Sequence, residues 1–305
     1  MRQLRYSAAL LLAGLSQYAY AGPTFIAQIP FEMCQGLICV RAQLDGGAAA
    51  TLILDTGDAH EFITSEAARS HGWKLRPYIG KDGKAVPHLF DAGRHTVTLG
   101  PVAQSVDFVA QSARAMGTRG AFQGNLIYLL FKDRVLQIDY PRRRLRISAT
   151  LTGAPRRQNA GGRLEIVNFH KWGPPIVVGG PFSIDGKRLR AQIDTGYTGS
   201  MLIYTAAIRP LGLSGAAAHG RPELFPFTDG GVTMLAASVQ SEGFAGHLLS
   251  HPAVVYFPTP GVHEPENPFD ATVGNALFTT SIVTFDFHNM TLDVRSGDTQ
   301  KLGRS

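Results

Sequence analysis

The sequence predicts an all-β protein built from two similar halves. Its 305 residues are about twice a common domain length, and 34 glycines, 44% hydrophobic and 17% charged residues are typical of a turn-rich globular protein. The tripeptide Asp-Thr-Gly occurs at residues 55–57 and 194–196, each time directly after an apolar run that reads as a strand. Chance alone gives about 0.1 copies in such a chain. The spacing of 139 residues (194 − 55), close to half the chain, therefore indicates a duplication.

The sequences on both sides of the tripeptide repeat as well. Upstream, each half has an alternating strand, an Asp-Gly turn, and a second strand that ends on the aspartate. Downstream, ITSEAARSHGWKL and LIYTAAIRPLGL each predict a short helix that begins near a Thr and ends near a Gly. Further on, KDRVLQIDYPRRRLRI parallels TTSIVTFDFHNMTLDV at a spacing of 147 residues (286 − 139). The second half therefore carries about eight extra residues.

These parallels predict the organisation of the chain. A first lobe of residues 22–151 is followed by a linker of residues 152–162, rich in Gly, Pro and Arg, a second lobe of residues 163–297 and a tail of residues 298–305. Because both halves lie in one chain, we expect a monomer.

The first 21 residues read as an export signal. MRQLR is a positive start, SAALLLAGL a short apolar segment, and Ala19-Tyr20-Ala21 a small-x-small cleavage site. We expect cleavage after Ala21 and a periplasmic or secreted protein. No other stretch approaches the roughly 18 apolar residues of a membrane helix, so no membrane span is expected.

The two cysteines of the chain, Cys34 and Cys39, flank the turn signal Gln35-Gly36 in FEMCQGLICV. An oxidising compartment favours a disulfide between them, if they pair directly across the turn. Two reduced thiols are the alternative.

Charge and histidine spacing favour neither a nucleic-acid partner nor a metal. The net charge is +6, and its densest run, RRRLR at 142–146, is interpreted as a solvated turn because no aromatic interleaving accompanies it. The ten histidines show no ligand spacing such as His-Glu-x-x-His, and we expect His60 and His71 at the surface. No metal and no cofactor is predicted.

The dipeptide Gly-Asn occurs at 124–125 and at 274–275. It predicts a tight backbone crossing beneath each Asp loop, the turn that contains Asp-Thr-Gly, rather than a catalytic amide.

Each half repeats one pattern. A strand leads into Asp-Thr-Gly, and a helix, a long hairpin, a strand ending in apolar-apolar-Gly and a closing hairpin follow. This pattern resembles one lobe of the retropepsin-like and pepsin-like aspartic proteases. It covers nearly the whole chain after residue 21, twice, as in a fused pair of retropepsin-type lobes. The resemblance implies a bilobal fold with a pseudo-twofold axis and a few short helices. It also implies that the Thr56 and Thr195 hydroxyls cross-link the two loops, and that Gly57 and Gly196 offer backbone donors to the carboxylates.

The chemistry of the two aspartates agrees with this resemblance. A carboxylate at the end of a buried strand is costly to ionise alone. Two carboxylates about 3 Å apart share a proton instead, as aspartic proteases are known to do. Asp55 and Asp194 together would then supply a base and an acid that activate a water for amide hydrolysis. We therefore predict an exported aspartic endopeptidase that acts on peptide or protein substrates.

Three residues depart from the family pattern. Asp58 and Tyr197 follow the two tripeptides, where the family has a small or hydroxyl residue. A third carboxylate at Asp58 would raise the pKa values of the pair if buried and would matter little if it faces water. Thr272-Val273-Gly274 fits the family's apolar-apolar-Gly, and alignment of the tails puts Ile127 at the corresponding place in the first half, unless three residues are inserted after Gly124.

Flap hairpins are predicted near residues 78–92 and 222–236, and neither carries the Tyr-Gly of pepsin flaps. Asp58 and Ile127 favour one alternative function, a catalytically silent peptide-binding protein of the same fold. The other alternative is a hydrolase of wall-derived peptides.

Overall fold

The computed structural model describes residues 24–151, 162–167, 176–225, 232–244, 247–250, 253–260 and 269–297. The predicted signal peptide, the tail and the linker up to residue 161 lie outside these ranges. Gly162, placed in the linker by the sequence, is the first residue of a strand.

Most of the described residues form β-strands. The strands of the first half are β1 (Phe25–Pro30), β2 (Glu32–Cys34), β3 (Leu37–Leu44), β4 (Ala49–Leu54), β5 (Glu61–Thr64), β6 (Arg76–Ile79), β7 (Ala85–Leu99), β8 (Val102–Gln111), β9 (Gly124–Leu126), β10 (Val135–Asp139) and β11 (Arg144–Ser148). The strands of the second half are β12 (Gly162–Val167), β13 (Ile176–Ile184), β14 (Lys187–Ile193), β15 (Met201–Ile203), β16 (Arg221–Phe225), β17 (Val232–Val239), β18 (Glu242–Phe244), β19 (His247–Ser250), β20 (Ala253–Pro258), β21 (Ala271–Val273), β22 (Ser281–Asp286) and β23 (Thr291–Ser296).

Helices are few and short in the part of the chain that the structure describes. They are α1 (Ser65–Ser70), α2 (Thr205–Ile208), α3 (Ser214–Ala218), α4 (Asn275–Phe278) and a 3₁₀ helix at Tyr128–Phe131. None of these helices has the length and hydropathy needed to cross a membrane. The all-β, bilobal fold with few short helices that the sequence predicts is confirmed.

Two sheets make up the fold. One belongs to the first half alone, in the order β2-β3-β4-β9-β5-β8-β7-β6, with a further pairing of β3 with β7. The other sheet contains strands of both halves. It starts with β1-β11-β10 of the first half and continues with β22-β23-β12 of the second half. It then runs in the order β13-β14-β21-β15-β20-β17-β16, and β18 and β19 branch from β13. The six strands from β1 to β12 in this order therefore join the two halves.

A pseudo-twofold axis passes through the middle of these six strands. Strands β10 and β22 pair antiparallel with Gln137 opposite Thr284, and the Gln137 side-chain amide donates to the Thr284 hydroxyl at 3.2 Å. Their separation of 147 residues equals the spacing of the two repeated tails. Equivalent residues face each other only at a twofold axis, so the axis lies between these two side chains.

Each Asp-Thr-Gly follows a buried strand that pairs in parallel with a short strand from later in the same half. Leu54 lies opposite Leu126 in the pairing of β4 with β9, and Ile193 lies opposite Val273 in the pairing of β14 with β21. All four side chains are fully buried. This register makes Ile127 the equivalent of Gly274, so the interpretation with three residues inserted after Gly124 is wrong.

The short helices after each Asp loop lie where the sequence predicts them. Helix α1 begins after Thr64, whose hydroxyl accepts a hydrogen bond from Ala67 N, and Gly72 follows it with a φ of 75°. Helix α2 begins at Thr205, and Gly212 adopts a φ of 70° beyond its end. Glycine suits both turns because other residues rarely adopt a positive φ.

Hairpins lie where the two flaps were predicted. Strand β6 pairs with β7 from Arg76 to Asp91, and β16 pairs with β17 from Arg221 to Ala236. Residues 226–231, between β16 and β17 in the sequence, lie outside the described ranges. The basic run begins at the turn between β10 and β11 and continues into β11. Residues 142–144 are exposed, Leu145 is buried and Arg146 is partly buried.

The cysteine hairpin differs in register from the sequence expectation. Gln35 and Gly36 form a two-residue turn with φ values of 54° and 84°. Cys34 lies opposite Leu37 and Cys39 opposite Glu32, so the cysteines are diagonal neighbours rather than a directly opposed pair. Their Cα atoms are 5.8 Å apart and a disulfide joins them, within the usual range for such bonds.

Candidate active site

The fold brings the two repeated aspartates together. Asp55 follows β4 and Asp194 follows β14, and both carboxyl groups line the same cavity, close enough for each to act on the pKa of the other. A Cβ atom on Gly57 would lie 2.2 Å from Asp194 Cγ, and one on Gly196 would lie 2.4 Å from Asp55 Oδ2. Each glycine of one loop therefore touches the aspartate of the other, and no larger residue fits at either place.

Two threonines lock the loops to each other. Thr56 N donates to Thr195 Oγ1 at 3.0 Å, and Thr195 N donates to Thr56 Oγ1 at 3.2 Å. In return, Thr56 Oγ1 donates to Ile193 O at 2.7 Å, and Thr195 Oγ1 donates to Leu54 O at 2.8 Å. Both threonines are fully buried, so these four bonds join the ends of β4 and β14 in a water-free contact.

Backbone donors of each loop hold its own aspartate. Asp55 Oδ1 accepts from Gly57 N at 3.0 Å and from Asp58 N at 2.9 Å. Asp194 Oδ1 accepts from Gly196 N at 2.7 Å. These bonds orient both carboxyl groups and favour their ionised forms.

Burial dominates the electrostatics of the pair. Burial raises the pKa of Asp55 well above its usual range, and the charges of Asp194 and Asp58 raise it further. Burial also raises the pKa of Asp194, with Asp58 adding to the shift. Since two adjacent buried carboxylates resist joint ionisation, the pair retains a proton to higher pH than an isolated aspartate does.

The third carboxylate, Asp58, is partly buried and faces the same cavity as the pair. Its Oδ1 accepts from Ala59 N at 2.6 Å and from His60 N at 3.3 Å, and its Oδ2 accepts from Asn125 Nδ2 at 3.0 Å. Asn125 also donates to His60 O and accepts from Phe62 N. Asn125 therefore anchors Asp58 and the start of β5 rather than serving as a catalytic amide.

Gly124 and Gly274 both lie at tight backbone crossings, although not at equivalent positions. A Cβ atom on Gly124 would lie 2.3 Å from Phe62 O, beside β5, while one on Gly274 would lie 2.3 Å from Tyr197 O, at the second Asp loop. The first crossing is therefore with β5 and only the second is beneath an Asp loop.

Tyr197, which departs from the expected pattern, packs against Gly274, which fits it. Tyr197 is buried, and its ring packs so closely that a Cβ atom on Gly274 would lie 2.6 Å from Tyr197 Cδ1. In the first half the shorter Asp58 stands at the place of Tyr197, and Ile127 stands at the place of Gly274. The large residue Tyr197 thus packs against a glycine just after β21, whereas the first half has the shorter Asp58 and an isoleucine at the two equivalent positions.

The histidines near this region are less exposed than predicted. His60 and His71 are both partly buried, which corrects their placement at the surface. The His60 ring contacts Phe62 and Tyr78, with ring centres 5.9 and 6.2 Å apart, and burial lowers its pKa. No group of three His, Cys, Asp or Glu residues within the described ranges is arranged to hold a metal ion.

Sequence reasoning missed a supporting glutamine. Gln192 Nε2 donates to Gly57 O at 2.8 Å, across the contact between the two loops. Its Oε1 accepts from the Thr272 hydroxyl at 3.3 Å. The signal was present, because Gln192 is a polar residue in the strand that ends on Asp194, where the first half has Ile53.

A second missed support reaches across the halves. Asn275 Nδ2 donates to Thr195 O at 2.6 Å, and Asn275 Oδ1 accepts from the Tyr140 hydroxyl at 2.8 Å. Tyr140 belongs to the first half, so one side of the second Asp loop depends on both halves.

A cavity of about 340 Å³ opens onto the pair. This volume is near the lower end of the range for small-ligand sites, about 300–1,000 Å³. Its lining residues come from both Asp loops, the cysteine hairpin, β4, β5, β8, β9 and the loop before β9: Gln35, Leu37, Ile53, Asp55, Gly57, Asp58, Phe62, Gln111, Met116, Gly117, Phe122, Asn125, Asp194, Gly196 and Thr198.

Comparison with known proteins finds likeness in structure but none in sequence. No protein-family model and no curated protein sequence matches the chain. Among solved structures, the aspartic proteinase from Irpex lacteus is similar to it at 13% sequence identity and a TM-score of 0.49. That likeness covers 90% of this chain and 98% of the proteinase. The chemistry proposed for the site is therefore argued from the contacts of its own residues.

Proposed function

We propose that the protein is an exported aspartic endopeptidase in which Asp55 and Asp194 act together. The observation that carries the proposal is the reciprocal Thr56 and Thr195 cross-link, which holds two neighbouring carboxyl groups at the surface of a cavity. A structural role alone gives no reason to hold two partly buried carboxyl groups side by side at an open cavity, because taking carboxylates out of water is costly.

The reaction uses the single proton that the pair shares. The ionised carboxylate takes a proton from a water molecule, whose oxygen attacks the carbonyl carbon of the scissile peptide. The protonated partner donates its proton to the carbonyl oxygen, giving a neutral tetrahedral intermediate. As this intermediate collapses, the carboxyl group that received a proton from water passes it to the amide nitrogen, and one hydroxyl of the intermediate returns its proton to the other carboxylate. The C–N bond breaks, a carboxylic acid and a free amine leave, and the pair again holds one proton. The backbone donors at Gly57, Asp58 and Gly196 stabilise whichever carboxylate is ionised.

Export rests on the N-terminal sequence, which precedes the described residues. A charged start, an apolar segment and the Ala19-Tyr20-Ala21 site support removal of residues 1–21 and a periplasmic or secreted mature protein. The disulfide between Cys34 and Cys39 suits such an oxidising compartment.

A second candidate is a peptide-binding protein that keeps the cavity without hydrolysis. Asp58 favours it, because a third carboxylate in the cavity raises the pKa values of both aspartates and opposes formation of the ionised base.

Turnover of a mixed peptide library by the mature protein, across pH 3 to 8, distinguishes the two functions. The endopeptidase predicts internal cleavage that a pepstatin-like transition-state mimic blocks. Tight binding of that mimic without cleavage at any pH would instead establish the binding protein.

A further inference from the structure

The cavity beside the pair has apolar walls. Leu37, Ile53, Phe62, Met116 and Phe122 all line it. Leu37, Ile53 and Phe122 also pack with Cys39 in one buried cluster, so this wall is supported by the disulfide hairpin. Such walls suit the aliphatic part of a long side chain.

The Asp58 carboxylate is built into this cavity. Its three hydrogen bonds, from Ala59 N, His60 N and Asn125 Nδ2, fix its direction before any ligand arrives. Only one of these donors reaches Oδ2, so this oxygen retains the capacity to accept from a ligand. A preorganised acceptor loses little conformational entropy on binding.

No positive side chain of the described residues lines the cavity. Beyond the three aspartates, its polar lining is neutral: Gln35, Gln111, Asn125 and Thr198. His60 lies next to Asp58, but burial lowers its pKa and favours the neutral ring. Glu61, the residue after His60, is buried and adds no positive charge. Burial raises the pKa of Asp58 above its usual range, and the hydrogen bonds from Ala59 N and His60 N offset part of this rise. When Asp58 is ionised and the pair holds one proton, the cavity carries two negative charges.

We propose that Asp58 determines substrate specificity, and that the cavity takes a cationic side chain, Lys or Arg, next to the scissile peptide bond. The apolar walls hold the aliphatic stem and Asp58 accepts a hydrogen bond from the cationic end. The proposal rests on the proposed peptide-binding cleft and adds to it a substrate class.

Two non-cleavable statine-containing peptides test it, identical except for a lysine or a norleucine at the residue next to the statine. Calorimetry at pH 6.5 on the full mature protein measures the affinity for each. We expect the lysine peptide to bind about tenfold to a hundredfold more tightly, the range of a charge-assisted hydrogen bond. In Asp58→Asn the ratio of the two affinities should fall to about one, whatever change the shifted pKa values of the pair cause in both affinities together. The control Asp185→Asn removes the same charge at an exposed turn of the second half and should keep the preference.

The outcomes separate this proposal from hydrolysis itself. Equal affinities of the wild-type protein for the two peptides overturn it, as does failure of both to bind. If Asp58→Asn changes both affinities equally, or only shifts the pH dependence, Asp58 acts on the pair and not on the ligand, which also overturns it. A lysine preference that depends on Asp58, in a protein that cleaves no library peptide, supports this proposal and refutes the hydrolysis. Circular dichroism establishes that each variant is folded.

Discussion

Thr56 and Thr195, 139 residues apart, each accept a hydrogen bond from the other's backbone N–H, at 3.2 and 3.0 Å respectively. Each hydroxyl also donates to the carbonyl oxygen two residues before the other threonine. All the groups involved are buried, so no water replaces a lost partner.

Thr56→Val therefore tests the hydrogen bonds between the two loops, because valine has nearly the same shape as threonine but no hydroxyl. It removes the acceptor of Thr195 N and the donor to Ile193 O. Since a buried unsatisfied group costs about 1–3 kcal/mol, we expect the free energy of unfolding to fall by about 2–4 kcal/mol. Urea denaturation measures it. Thr56→Ser keeps the hydroxyl and should lose much less, and equal losses in the two variants would show that packing matters rather than the hydrogen bonds.

The pair should behave as one catalytic unit. Asp55→Asn and Asp194→Asn each remove the shared proton while keeping the shape, so both should reduce peptide cleavage to near background. The double variant should be hardly slower than either single variant. Rates at matched folding, checked by circular dichroism, decide this. An Asp194→Asn protein that retained most of the wild-type rate would exclude the dyad.

The pH dependence of cleavage should be bell-shaped, because one member of the pair must be ionised and the other protonated. The optimum should lie on the acidic side. Burial raises the pKa values of both aspartates, so both limbs should lie at higher pH than those of a solvated carboxyl pair. Asp58 adds to both shifts, and Asp58→Asn should accordingly move the limbs to lower pH. A profile that stays in place in this variant would mean that Asp58 does not act on the pair.

Gly274 should not tolerate alanine. A Cβ atom there would lie 2.3 Å from the backbone oxygen of Tyr197, so the second Asp loop would have to move. We expect a loss of about 1–3 kcal/mol in stability, typical of overpacking, together with lower activity. Gly215→Ala is a matched control, because a Cβ atom on Gly215, in α3, meets no atom within 4 Å. That variant should gain about 0.5–1 kcal/mol, and a similar response at both positions would contradict the close crossing.

Stability should fall as the pH rises from about 4.5 to about 7. Glu242 is 1% exposed, and burial raises its pKa to about 7 from an unfolded value of 4.5. The Ser200 hydroxyl offsets part of this shift but donates its hydrogen bond to the Val254 carbonyl oxygen. By the geometry of the described residues, neither Glu242 oxygen has a hydrogen-bond partner.

The sign follows from the raised pKa: the folded protein binds the proton more tightly, so this stabilisation is complete below pH 4.5 and is lost as pH rises through 7. A shift of this size corresponds to roughly 3 kcal/mol. Glu242→Gln should match the wild type in acid and exceed its stability above pH 7, measured by denaturation at several pH values. Glu32→Gln, at an exposed site, should leave the curve unchanged. A wild-type curve that stays flat between pH 4.5 and 7 would refute the assignment.

Removal of the disulfide should weaken the protein without unfolding it. A five-residue separation closes only a short loop, so Cys34→Ser with Cys39→Ser should cost about 2 kcal/mol in the chain-entropy account. Denaturation under non-reducing conditions measures the loss. Titration of two free thiols in the native exported protein would contradict the bond.

The sequence by itself determined the repeat, and with it the all-β class, the two equivalent halves and the two aspartates at strand ends. Alternation of apolar residues has a period of two along a strand, so the buried face of β4 or β14 is readable from the local sequence. The Gln35-Gly36 turn and the helix after each Asp loop are local in the same sense, since turn and cap residues act on their immediate neighbours.

Contacts between distant segments were decided only by the tertiary structure. The diagonal register of Cys34 and Cys39, the equivalence of Ile127 with Gly274, the burial of His60 and the support of Gly57 by Gln192 all depend on how strands pair and how the two halves meet. Spacing along the chain does not specify these, because a shift of one residue in a strand pairing turns every side chain to the other face. For the same reason the direction of Asp58, into the cavity and not into water, was open in the sequence. Its hydrogen bond with Asn125, 67 residues away, is what sets it.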